Sequence, residues 1–348
     1  MTVAAVVPSN KYTFALGKQS AYGTPVANPD WQISAYDADI GETQELADLE
    51  LINGDVFLPG QYKTSAGFGG TVTFASHPDS TPRLLAAHFG TSSDTMTGAG
   101  DPRTHTFARK DVDLPHTFWI GRPVAGGTFE YTKGIDVNCT QVTFQYDAGQ
   151  LFKIGTTWLG ASALGVASTP TPTNTIVIPS SGNFGHTWAR AVLKLDYNAT
   201  PASTTITNIT NFTLTSAYAD AKFITTQNLN ADFYDRGKWS LTGTATAVFQ
   251  NWQAYNWTFY NSTSPSANAA QSSALGSGAI DFKVDQEPTS ANRTLQLQIP
   301  YVQITAVRPT PDPGGAGIIA TINFNLSKPT SGEPITVIDL TSVATSYS

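Results

Sequence analysis

The sequence predicts an almost entirely β protein, on three observations. Charged residues make up only 13% of the 348 residues, and Thr, Ser, Asn, Gly and Pro take their place. Such residues suit strands and turns. Ser, Thr and Asn compete with the helical backbone, and Gly and Pro break it. Apolar residues alternate with polar ones over long stretches, the pattern that buries one face of a strand. Hydrophobic residues still reach 40%, enough for a substantial core.

Taken in order, an extended segment at residues 47–58 leads through a Gly-rich stretch to the alternating run Gly70-Thr71-Val72-Thr73-Phe74. A helix is expected over 81–90, with Thr81 as its cap, Pro82 at its first position and Gly90 at its end. A polar loop then reaches Pro115. Strands follow at 116–120, 135–146 and 151–159. Residues 161–175 (ASALGVASTPTPTNT) hold small residues and spaced prolines and read as a linker. Beyond it come strands at 191–197, 204–215 and 243–249. A second helix is expected over 251–261, with Trp252, Tyr255 and Phe259 on one face. A polar loop to Arg293 precedes strands at 294–299, 301–308 and 317–327. The alternation at 335–343 suits either a last strand or an arm that orders on assembly.

The two halves share one grammar: strand, strand, helix, long loop, then three strands. This implies a mainly β fold with two tandem, pseudo-duplicated β-sandwich domains, each with one short α-helix. Their bounds are 1–160, including an N-terminal arm, and 176–348.

The net charge of −7 argues against a general nucleic-acid binder, which needs a basic surface to displace counterions. The single cysteine, Cys139, lies in an alternating segment and reads as a small buried apolar residue. No disulfide framework, metal site or cofactor is expected. The start of the chain has no basic, signal-like segment, and no stretch is long enough to span a membrane. Histidines at 77, 88, 105, 116 and 186 form no zinc-ligand spacing. His77 and Asp79 belong to the turn before the first helix, where Asp79 or Ser80 is a candidate cap. The pairs Asp37/Asp39, Asp111/Asp113 and Asp281/Asp285 lack a calcium-loop pattern. No nucleophile elbow or phosphate loop occurs, so no enzyme is expected.

Near the N-terminus stands Leu16-Gly17-Lys18-Gln19-Ser20-Ala21-Tyr22-Gly23-Thr24-Pro25. Through Gly17, Lys18, Gln19, Tyr22, Gly23, Thr24 and Pro25 it resembles the opening motif of a family of phage tail tube proteins. The layout is similar to siphophage tube proteins with two tube domains per chain, such as those of Thermus siphophages. Plentiful Asn and Gln with few charges do not favour a thermophile here.

The resemblance implies a virion protein made in the host cytoplasm. Three chains would form a pseudo-hexameric ring, one sheet of each domain would line a lumen, and rings would stack into a tube. DNA would pass through without specific binding, and an acidic lumen would suit that passage. Tape measure and tail-tip or terminator proteins are implied partners. Segments 52–69 and 216–238 would reach the neighbouring ring through Phe57, Tyr62, Phe68, Phe223, Phe233 and Tyr234, or else fold back on their own domain. Seven tryptophans (Trp31, Trp119, Trp158, Trp188, Trp239, Trp252 and Trp257) keep open a carbohydrate-binding β-sandwich, where exposed rings would stack on sugars. A capsid decoration or baseplate protein is a further alternative.

Overall fold

The computed structural model describes residues 12–33, 35–48, 61–90, 93–100, 102–110, 115–124, 128–166, 169–175, 185–196, 205–206, 209–219, 221–223, 233–248, 252–262, 264–273, 276–286, 293–311, 318–327 and 332–341. The first half contains β1 (Thr13–Lys18), β2 (Trp31–Ile33), β3 (Asp37–Asp48), β4 (Gln61–Ala75), α1 (Thr81–Phe89), β5 (Asp94–Thr97), β6 (Arg103–Ala108), β7 (His116–Pro123), β8 (Phe129–Asp147) and β9 (Lys153–Gly160). β10 (Ser162–Val166) and β11 (Asn174–Thr175) follow. The second half contains β12 (His186–Asp196), β13 (Thr205–Ile206), β14 (Ile209–Tyr218), β15 (Ala221–Phe223), β16 (Phe233–Asp235), β17 (Trp239–Val248), α2 (Gln253–Tyr260), β18 (Gly276–Gln286), β19 (Thr294–Pro311), β20 (Ile318–Leu326) and β21 (Thr336–Thr341). The mainly β class with two short helices is as the sequence predicts.

Eight strands form one continuous antiparallel sheet in the order β3-β4-β9-β8-β14-β17-β20-β19. The halves meet at β8 and β14, which pair from Gln141↔Ala217 to Asp147↔Asn211. A second layer packs over each half. In the first half it is β2-β1-β7, the N-terminal part of β8, then β10. In the second it is β13-β12-β18, the N-terminal part of β19, then β21.

The pairings of one half therefore repeat in the other, down to single residues. Gly70 lies opposite Trp158, and Gly243 lies opposite Phe324. A Cβ on Gly243 would stand 2.3 Å from the Phe324 ring, so the glycine makes room for the aromatic ring. β8 and β19 each cross from one layer to the other. Each breaks register twice, near Asp136 and Thr140 in β8, and near Tyr301 and Thr305 in β19. With Gly70 set on Gly243, those irregularities coincide. A bulge bends a strand, which lets one strand serve two layers.

Several expectations need correction. The strands at 294–299 and 301–308 are one strand, because the ladder resumes after Pro300. Residues 161–175 are not a free linker: β10 pairs with β8, and β11 pairs in parallel with β2. The polar loop after α1 contains the β5–β6 hairpin, and β6 pairs with β21 of the other half. Of the alternating run 335–343, Thr336–Thr341 forms a strand with Ile335 and Val337 buried, and residues 342 and 343 lie outside the described residues. Of segment 47–58, residues 49–58 lie outside the described residues.

Thr81 does not cap α1. It is the first helical residue, Ser80 precedes it without a side-chain cap bond, and the Thr81 hydroxyl accepts from the His77 N–H at 3.1 Å. On α2, the rings of Trp252, Tyr255 and Phe259 touch in sequence along one face, but Trp257 is the ring that is buried. The core is a single cluster across both halves. Phe282 of the second half stacks on Phe212 at 4.3 Å and packs on Tyr146 and Phe152 at 5.7 Å each.

Candidate functional site

The eight-stranded sheet has two open edges. Among the described residues, β3 pairs only with β4, and the part of β19 beyond Ile304 pairs only with β20. β3 carries Asp37, Asp39, Glu42, Glu45 and Asp48 and no basic residue, while Arg308 is the one charged residue of β19. Arg122 binds Glu42 through two nitrogens, at 2.7 and 3.3 Å, and Thr132 donates to the same carboxylate at 2.8 Å. These bonds, the Arg122 bonds first, hold the Glu42 carboxyl down at about 2 although burial opposes them. They tie the edge strand to the layer beneath it.

One face of this sheet covers the core. The other carries a polar set in register. One row runs Asp37, Thr73, Gly155, Thr143, Thr215, Thr242, Asn325 and Gln303 across all eight strands. The next runs Lys153, Gln145, Thr213, Thr244 and Asn323. Opposed residues share a face, so the rows form a hydroxyl and amide surface. Thr143 and Thr215 meet at 3.3 Å, and Thr246 and Thr321 at 3.4 Å. Charge enters at Asp37 and Asp39 on the edge strand, and at Lys153, Asp147 and Arg308 toward one end of the strands.

The six candidate contact residues divide. Tyr62, on the β3–β4 hairpin, is 54% exposed. Phe68 is fully buried against Phe118 at 5.8 Å, so it serves the core and offers no outward contact. Phe223, Phe233 and Tyr234 stand on the β15–β16 ribbon, where Phe223 opposes Phe233 in the backbone register. Phe57 lies outside the described residues.

The Gly17–Pro25 run has a definite local role. Gly17 and Lys18 end β1, where a Cβ on Gly17 would meet Val26 and the Trp119 ring. The Lys18 N–H donates to Asp30 at 2.8 Å. Gln19 is buried; with its amide nitrogen turned to Asp136 it donates there at 2.7 Å and accepts from the Thr117 hydroxyl at 2.9 Å. Asn138 donates to the Tyr22 hydroxyl at 3.1 Å. Gly23 takes φ +74°, left-handed backbone that glycine adopts without strain, and its N–H donates to Asp136 at 2.8 Å. The Thr24 N–H closes the turn on the Ala21 carbonyl at 3.3 Å, just before Pro25. Asp136 itself has φ +54° and sits where β8 changes layer. The motif is a clamp on that bend. Burial raises the Asp136 carboxyl pKa, and the Gly23 N–H opposes it.

The histidines are structural. His88 bridges the Cys139 carbonyl at 3.0 Å and the Ser216 hydroxyl at 2.7 Å, and burial lowers its pKa to about 3. His186 meets Ser76 at 2.7 Å. Among the described residues no three His, Cys, Asp or Glu side chains converge as a metal site. Trp31, Trp119, Trp158 and Trp257 are buried, Trp239 is half-buried and Trp252 is exposed, so the described tryptophans form no sugar platform. The side chain of Trp188 lies outside the described residues. The edge geometry is what sequence reasoning missed, because a pairing partner on one side leaves no mark in a strand's own alternation.

A search of curated proteins gives no match. The family model for phage tail tube proteins matches residues 9–326, nearly the whole chain and both halves of the sheet. On that match, the chain belongs to the phage tail tube protein family.

Proposed function

We propose that three copies close into a ring, and that rings stack into the hollow tube of a long, non-contractile phage tail through which DNA is ejected. As a tail tube protein the chain is a structural component of the virion tail. The observation that carries the ring reading is one sheet with two open edges. Neighbouring strands alternate in direction across eight strands, so β3 and β19 run antiparallel and copies set side by side continue the order. Closure removes edges that would otherwise invite uncontrolled pairing.

On this reading each chain holds two tube domains, 1–160 and 176–348, and three chains supply six similar positions. The hairpin bearing Tyr62 and the ribbon bearing Phe223, Phe233 and Tyr234 reach the next ring. The hydroxyl and amide face lines the lumen. Its few charges of both signs nearly cancel, so DNA passes because no net positive charge attracts phosphate, in place of the repulsion an acidic wall would give. Tape measure and tail-tip proteins bound the tube. Negative-stain microscopy of the purified chain tests this: hollow filaments or three-membered rings are expected. A monomer that persists at high concentration, after warming and with a tail-tip complex added, refutes it.

A further inference from the structure

The seam inside the chain supplies a template for the seam between chains. Setting Gly70 on Gly243 makes β3 the counterpart of β14, with Ile40 on Leu214. It makes β8 the counterpart of β19, with Gln141 on Ala306 and Thr143 on Arg308. β8 and β14 are already paired. Their counterparts, β19 and β3, are the two edge strands of the eight-stranded sheet among the described residues. We infer that β19 of one chain pairs with β3 of the next in the register of the β8–β14 seam, an inference that rests on the ring reading above. The transferred register sets Ala306 opposite Thr43, Arg308 opposite Gly41 and Thr310 opposite Asp39.

The residue differences between the two seams fit their two tasks. Within the chain, Thr143 and Thr215 touch by their hydroxyls. Between chains Arg308 replaces Thr143 and faces Gly41, and Asp39 stands diagonally beside it, so guanidinium meets carboxylate. This joins the only charge on β19 to a strand whose charges are all acidic. Pro309 and Pro311 stand where β8 has Phe144 and Tyr146. An edge strand tolerates proline with its missing N–H on the open side. The seam between chains therefore carries fewer hydrogen bonds than the seam within the chain, and the same prolines blunt the edge of a free chain.

Cysteine pairs placed in one chain test the register in assembled tubes. Thr43→Cys with Ala306→Cys, and Asp39→Cys with Thr310→Cys, are expected to link neighbouring chains on mild oxidation, because opposed strand residues bring Cβ atoms within disulfide reach. Cys139 is buried and does not compete. Glu45→Cys with Thr310→Cys, about 20 Å out of register at about 3.3 Å per residue, should not link. In the chain without cysteine substitutions, Arg308→Glu should raise the concentration needed for tubes by about tenfold, and adding Asp39→Arg should restore it. Tubes that link only at the out-of-register pair, or at none, overturn this seam and leave the ring reading intact. Unimpaired assembly by Arg308→Glu overturns it as well. Absence of tubes from the native chain refutes the ring reading, and the seam with it.

Discussion

Gln19 sits where three chain segments meet, and its amide serves two of them at once. It is buried, it satisfies Asp136 and Thr117, and it belongs to a turn that Gly23 and Thr24 complete. Removing it takes one donor from Asp136, which keeps the Gly23 N–H, and leaves the hydrogen of the buried Thr117 hydroxyl without its acceptor. Leaving buried polar groups unpaired costs about 1–3 kcal/mol. Gln19→Ala is therefore expected to lower stability by about that amount, read as a shift in urea midpoint with unchanged slope. A loss below about 0.5 kcal/mol, the usual range for surface changes, would show that the amide does not hold the bend. Gly70 and Gly243 illustrate a different residue-scale constraint. Gly243 leaves room for the Phe324 ring across the ladder, whereas Gly70, at φ +137°, lies so close to the β3 backbone that a Cβ would run into the Asp39 carbonyl.

At the scale of elements, β8 and β19 organise each half, since both cross between layers at matched bulges. β21 then ties residues 336–341 to β6 of the first half, and that joint is polar. Asp339 is fully buried opposite His105, and among the described residues its two carboxyl oxygens have no hydrogen-bond partner. His105 binds Asp94 at 2.8 Å. Burial raises the Asp339 pKa well above the usual carboxylate range. Asp79 and Asp94 push the same way, and Arg293 opposes. A raised carboxyl pKa contributes stability that is complete below the unfolded value and lost as pH rises through the folded one. Asp339→Asn should therefore match the native chain near pH 4 and exceed its melting temperature increasingly toward pH 8. A native chain as stable as the variant at pH 8 would count against an uncharged Asp339.

The whole molecule behaves as one cooperative body on this account, because a single core and a single sheet join the halves. Three buried histidines then give it a direction in pH. Burial lowers His88 and His186 to about 3 and His116 to about 4. The unfolded chain takes up these protons near 6.5 and the folded chain does not, so stability falls as pH drops from about 6.5 toward 4. Each proton contributes about 1.4 kcal/mol per pH unit, and the raised carboxyls of Asp339 and Asp136 work in the opposite direction. Urea midpoints should fall steeply between pH 6.5 and 4.5; a flat profile would place these histidines in water.

The neutral sheet face also makes a whole-assembly prediction. A fluorophore on Thr215→Cys in assembled tubes should be quenched by iodide and by a monovalent cation within about twofold of each other at low salt. An acidic lumen would instead favour the cation more than about tenfold, converging as salt screens the wall.

The sequence by itself determined the β class, both helices and the tail tube motif, and it suggested a repeat, although it read β18 as polar loop and split β19 in two. Alternation, breaker residues and the Gly17–Pro25 run are local signals that each segment carries alone. Tertiary structure decided the rest. Phe68 and Tyr62 look alike in sequence, and only packing sends one inside and one out. Residues 161–175 read as linker because small residues contribute little core, yet β10 fits there beside β8. Which edges stay open, and which polar residues line up across eight strands, depend on register. Register is a relation between segments far apart in the chain, and no single segment encodes it.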